Sequence, residues 1–126
     1  MTAPAAAGRK SILVVNRHAH PGSSLPRSAL DTALAAAAFD QPVALLFLGE
    51  GVLQLLPAQD SRPAGVRNLR KVLDSLPLYE IETVYVDAAA AAAFGLERDA
   101  LPPQAECLDA AGIRALLVRH DHVLGF

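Results

Sequence analysis

The chain has 126 residues, 52% of them hydrophobic, a formal net charge of −2 at pH 7 and a single cysteine. This length suits one domain with a sizeable core. The single cysteine excludes an internal disulfide, and without a run of Lys and Arg we do not expect direct binding of nucleic acid. No apolar stretch reaches the roughly 18 residues that a membrane span needs.

The first ten residues, MTAPAAAGRK, place their positive charge after the small residues and contain no long apolar region. This is not the pattern of a signal peptide. We therefore expect residues 1–10 to be a disordered lead and residues 11–126 to form one domain. The expected location is the cytoplasm.

Five apolar runs predict strands. They are SILVV (11–15), VALLFL (43–48), TVYVD (83–87), AECL (105–108) and HVLGF (122–126). The first two runs do not alternate with polar residues, which is typical of strands that are buried on both faces of a parallel sheet.

Helical patterns lie between these runs. The first helix is predicted over residues 26–39, and the alanine run 88–94 predicts a helix that ends at Gly95. A second helix is marked by Leu69, Val72, Leu73 and Leu76, and a last helix, capped by Asp109, by Ile113, Leu116 and Leu117. This alternating order predicts a single-domain α/β fold: a parallel sheet of about five strands with helices on both faces.

In such a sheet, chemistry is expected beyond the carboxyl ends of the strands. The loop after the first strand, NRHAHPGSS (16–24), holds one glycine, so it matches neither a dinucleotide-binding nor a P-loop motif. Asp87 follows the third strand. It is predicted either to cap the alanine helix or to act as a functional carboxylate at this end of the sheet.

Two H-x-H pairs, His18 with His20 and His120 with His122, are the residue types that zinc prefers. The first pair follows the end of a strand and the second precedes the start of one. In a parallel sheet these two positions lie at opposite ends of the strands. We therefore expect no metal site, and no motif indicates another cofactor.

Cys107 is the one thiol of the chain. A reactive thiol needs an electropositive, partly exposed setting, whereas acidic residues, Glu106 and Asp109, flank Cys107. We expect a packing cysteine, as is common for free Cys, and we identify no catalytic residue in the chain.

A second apolar run, residues 52–56, follows Gly49-Glu50-Gly51 directly. One interpretation is a helical turn packed into the chain's own core. The other is a subunit interface in which Val52, Leu53 and Leu56 face a partner, because obligate interfaces resemble a core cut in half. The high apolar content of so short a chain favours the interface.

Three segments together resemble the TusC/DsrF family of sulfur-relay proteins: LLFLGEGVLQLLPAQ (45–59), LPLYEIETVYVDAA (76–89) and HDHVLGF (120–126). The resemblance extends over residues 11–126. It implies the DsrE/F/H fold, which is the parallel α/β sheet already predicted. It also implies a cytoplasmic heterohexamer with TusB-like and TusD-like subunits. Such a complex relays persulfide sulfur from a TusA-like donor to a TusE-like acceptor, for 2-thiouridine formation at the tRNA wobble position.

The resemblance also implies that this chain differs from TusD-like relatives at one position. In TusD-like relatives the sulfur-carrying cysteine stands just after the third strand, and the matching position here is Asp87. A carboxylate cannot form a persulfide, so the chain is expected to be a non-catalytic subunit of a sulfurtransferase complex. Two alternatives stay open: a DsrF-like role in dissimilatory sulfur oxidation, and an unrelated small-molecule-binding α/β module that uses the 16–24 loop.

Overall fold

A computed structural model describes residues 10–18, 24–55 and 74–126. In this part of the chain five strands form one sheet: β1 (Ile12–Asn16), β2 (Val43–Phe47), β3 (Val84–Asp87), β4 (Ala105–Leu108) and β5 (His122–Gly125). Their order is β4-β3-β2-β1-β5, and every neighbouring pair is parallel. The predicted single-domain parallel sheet is confirmed.

Three α-helices are described: α1 (Leu25–Ala38), α2 (Ala88–Ala93) and α3 (Ala110–Val118). 3₁₀ segments span Gly49–Leu55, Leu76–Tyr79 and Arg98–Ala100. The helix predicted from Leu69, Val72, Leu73 and Leu76 lies mostly outside the described residues. Residues 74–75 are helical, and Leu76, which is buried, begins the Leu76–Tyr79 3₁₀ segment. No helix within the described ranges is long and apolar enough to cross a membrane.

The sheet has a core on each face because side chains alternate along each strand. On one face α1, α2 and the Gly49–Leu55 segment pack against the strands, in a cluster that includes Val14, Leu45, Phe47 and Val86. On the other face Leu116 of α3 covers Leu13, Val15 and Leu46. The central strands β1 and β2 are therefore buried on both faces, as their unbroken apolar runs predict.

The last strand departs from this prediction. All four residues of β5 are exposed, although Val123 and Leu124 at its centre are apolar. β5 pairs with β1 alone and lies at the end of the sheet order. An apolar run thus marks this strand correctly but overstates its burial, because burial depends on whether a further element covers the edge.

Candidate functional site

Asp87 lies at the carboxyl end of β3 and immediately before α2. Its backbone is extended, as an N-cap requires, and its Oδ1 accepts a hydrogen bond from the N–H of Ala90 at 3.2 Å. Its Oδ2 accepts a second hydrogen bond, from the N–H of Gly49 at 3.2 Å. The predicted cap is observed. The contact with Gly49 was not foreseen, because nothing in the local sequence indicates a partner in the turn after β2.

The turn after β2 approaches β1 closely. The N–H of Leu48 donates to the carbonyl of Asn16 at 2.9 Å. A Cβ on Gly51 would overlap that same carbonyl oxygen. Gly49 has φ +55°, a left-handed conformation that favours glycine. Both glycines of the Gly-Glu-Gly turn are thus required, one by its backbone conformation and the other by the lack of space.

The apolar run that follows this turn belongs largely to the chain's own core. Val52 and Leu55 are both 0% exposed and pack in the larger cluster, because three residues per 3₁₀ turn place them on one face. Val52 therefore does not face a partner, and the interface expectation is wrong for this residue. Leu53 is half-buried and stays an interface prediction. Leu56 lies outside the described residues.

A polar cluster lies where β1 meets the Gly49–Leu55 segment. The Nε2 of Gln54 donates to the backbone carbonyl of His18 at 2.6 Å. The side chains of Asn16 and Gln54 are 3% and 6% exposed. Among the described residues, the Nδ2 of Asn16, the Nδ1 of His18 and the Oε1 of Gln54 are buried and have no hydrogen-bond partner. Leaving a buried polar atom without a partner costs roughly 1–3 kcal/mol, so such atoms are normally paired.

The two H-x-H pairs are separated as predicted where the structure describes them. His18 lies beyond the carboxyl end of β1, whereas His122 pairs with Ile12 at the amino end of that strand. His20 lies outside the described residues. His120 has a local role, because its Nδ1 lies 2.7 Å from the carbonyl of Leu116 in the last turn of α3. No group of three metal-ligating side chains occurs among the described residues.

Asp121 lies between His120 and His122 in the sequence, and it links the starts of β1 and β5. Its Oδ2 accepts from the backbone N–H of Ser11 at 2.9 Å and from the Ser11 hydroxyl at 3.1 Å. The N–H of Asp121 in turn donates to that hydroxyl at 3.0 Å. The hydrogen bonds from Ser11, the backbone bond first, lower the pKa of Asp121 below its ordinary value of 3.8.

Cys107 lies on β4, where it pairs with Val86 and packs against the larger core. It is half-buried. Asp87, one residue later on β3, pairs with Leu108. The thiol is therefore on the neighbouring strand and not at the start of α2. That it carries no sulfur remains a prediction.

The sequence profile of the DsrE/DsrF-like family matches residues 10–126. A TusC homolog from Pseudomonas aeruginosa is 36% identical over 115 residues, covering 91% of this chain and 97% of that protein. The intracellular sulfur oxidation protein DsrF from Allochromatium vinosum is 34% identical over 131 residues, covering 93% of this chain and 96% of that protein. The chain belongs to the DsrE/DsrF-like family.

The crystal structure of the ychN protein from E. coli has the same fold. The TM-score is 0.78, and the match covers 94% of this chain and 99% of that one. The sequence identity is 19%, so this comparison establishes the architecture alone.

Proposed function

We propose that the chain is a non-catalytic subunit of a TusBCD-like sulfurtransferase complex. The complex relays persulfide sulfur in the cytoplasm for 2-thiouridine formation at the tRNA wobble position. The 36% identity to a TusC homolog over most of both chains supports this role. The companions proposed for it are TusB-like and TusD-like subunits in a heterohexamer. A TusA-like donor and a TusE-like acceptor exchange sulfur through the complex.

The observation that carries the non-catalytic assignment is the state of Asp87. By the resemblance, this residue matches the relay cysteine of TusD-like chains. Its two carboxylate oxygens are both engaged by backbone N–H groups, one from Gly49 and one from Ala90. A carboxylate offers no sulfur atom on which a persulfide could form. The position therefore supports the fold in this chain, and the sulfur passes through a partner subunit.

A DsrF-like role in sulfur oxidation is the second candidate function. It is supported by the 34% identity to DsrF over 93% of this chain. The domain and its assembly would be the same in both roles, and the partner proteins would differ. Disruption of the gene distinguishes the two, because the first predicts loss of tRNA thiolation and the second predicts loss of sulfur oxidation with thiolation intact.

Coexpression with TusB-like and TusD-like chains tests the proposal. The three chains should elute together at the mass of a hexamer, whereas this chain alone should self-associate or be poorly soluble. A well-behaved monomer that ignores both companions would contradict the proposal.

The half-buried position of Leu53 allows a sharper version of the test. Leu53→Asp should weaken the assembly because it buries an unpaired charge. Leu53→Asn is the matched control, because the Asn side chain has the same size as that of Asp and carries no charge. It should weaken the assembly less. Full assembly of both variants would move the interface away from this segment.

A further inference from the structure

We infer that the carboxyl end of β1 holds a binding site for one small uncharged group that both donates and accepts a hydrogen bond. A water molecule and the carboxamide of a small solute are the two sources of such a group. The site lies between the side chains of Asn16 and Gln54, at the start of the 16–24 loop. It does not rest on the proposed function, because all of its contacts belong to this chain.

The site is built where the end of β1 meets the 3₁₀ segment that follows β2. The backbone carbonyl of Asn16 accepts from the N–H of Leu48 at 2.9 Å, and Gly51 lies so close to this carbonyl that a Cβ would overlap it. The Nε2 of Gln54 donates to the carbonyl of His18 at 2.6 Å. These contacts hold the two elements together, and they leave Asn16 and Gln54 only 3% and 6% exposed.

Two complementary atoms of the site do not bond to each other. The Nδ2 of Asn16 is a donor, and the Oε1 of Gln54 is an acceptor whose orientation is fixed, because the Nε2 of the same amide donates to His18. Folds pair nearly all of their buried polar atoms. One group between the two side chains, which accepts from Asn16 and donates to Gln54, satisfies both atoms. The buried Nδ1 of His18 offers a third contact.

The charged side chains at this end of the sheet favour an uncharged group. The carboxylate of Asp87 is engaged by the N–H groups of Gly49 and Ala90, and the guanidinium of Arg17 lies beside Gly125. No set of three metal-ligating side chains occurs in the part of the chain that the structure describes. An ion would therefore be buried without a counter-charge, which is strongly unfavourable. A buried water, by contrast, typically bonds to about three polar atoms of this kind.

A crystal structure of the wild-type chain or its complex, at a resolution that shows ordered waters, tests the site directly. We expect one density peak within about 2.7–3.2 Å of both the Nδ2 of Asn16 and the Oε1 of Gln54. Two results would overturn the inference: both atoms bonded to another part of the chain, or both atoms unpaired with no density between them. The proposed function would stand in either case.

Soaking the same crystals identifies the source of the group. Acetamide carries both an acceptor and an N–H donor, whereas N,N-dimethylacetamide carries the acceptor alone and is the matched control. Replacement of the peak by acetamide only would assign the site to the carboxamide of a small solute. A peak that persists in both soaks would assign it to a tightly held water. Entry of N,N-dimethylacetamide as readily as acetamide would contradict the need for a donor and overturn the inference.

A double-mutant cycle tests the site in solution. Asn16→Ala and Gln54→Ala each remove one contact of the shared group, so the second loss should matter less once the first has occurred. The rise in the unfolding equilibrium constant of the double variant should fall short of the product of the single effects by about fivefold or more. Asn16→Ala with Asp109→Ala is the control and should be multiplicative, because β2 and β3 separate β1 from β4, which Asp109 follows. Multiplicative effects of Asn16→Ala and Gln54→Ala would overturn the inference.

Discussion

The carboxylate of Asp87 bonds to the backbone N–H of Gly49, which lies 38 positions earlier in the chain. The same side chain caps α2 through the N–H of Ala90. One residue therefore fixes the end of β3, the start of α2 and the turn after β2 relative to one another. Under the proposed function this position matches the relay cysteine of TusD-like chains, and in this chain its side chain supports the fold.

Two replacements of Asp87 should lower the stability of the fold by different amounts. Asp87→Ala removes both acceptors, and loss of an N-cap alone typically costs about 1–2 kcal/mol. Asp87→Asn keeps one acceptor oxygen and should cost less. Equilibrium denaturation of the purified chain or complex measures both variants. Wild-type stability of the alanine variant would show that the two hydrogen bonds contribute nothing.

The two glycines of the Gly-Glu-Gly turn should respond differently to the same substitution. Gly49→Ala meets no atom within 4 Å and is opposed only by its φ of +55°, which costs about 1–2 kcal/mol. Gly51→Ala would drive its methyl group into the carbonyl of Asn16, so it should prevent stable folding or displace the turn. Yields of soluble protein and thermal unfolding compare the pair. Equal effects would mean that the turn can move away from β1.

The sequence predicted the features of the fold that depend on local patterns. Apolar runs located all five strands, and the side chain of Asp109 caps α3 through the N–H of Gly112 at 2.8 Å, as its position before the helix indicates. Features that depend on distant parts of the chain were not predictable in this way. They include which of the two interpretations holds for Val52, the exposure of β5 and the bond from Gly49 to Asp87.

The contact between Ser11 and Asp121 should make the stability of the fold depend on pH. Because the folded chain lowers the pKa of Asp121 below 3.8, the contribution is fully present above the unfolded pKa and is lost as the pH falls through the folded value. Asp121→Asn should therefore be less stable than wild type at neutral pH, and the difference should shrink below about pH 4. Ser11→Ala keeps the backbone donor and should have a smaller effect. Unfolding curves measured across this pH range decide the point, and a difference that does not change with pH would contradict it.

The most direct test of the central claim follows labelled sulfur through the reconstituted complex. The TusA-like donor is loaded with labelled persulfide, and the sulfur bound to each subunit is measured by mass spectrometry under non-reducing conditions. Label should appear on the TusD-like partner and not on this chain, and Cys107→Ser should leave transfer to the TusE-like acceptor unchanged. Label on Cys107, or loss of transfer in an assembled Cys107→Ser complex, would make this chain a second relay station and contradict its non-catalytic role.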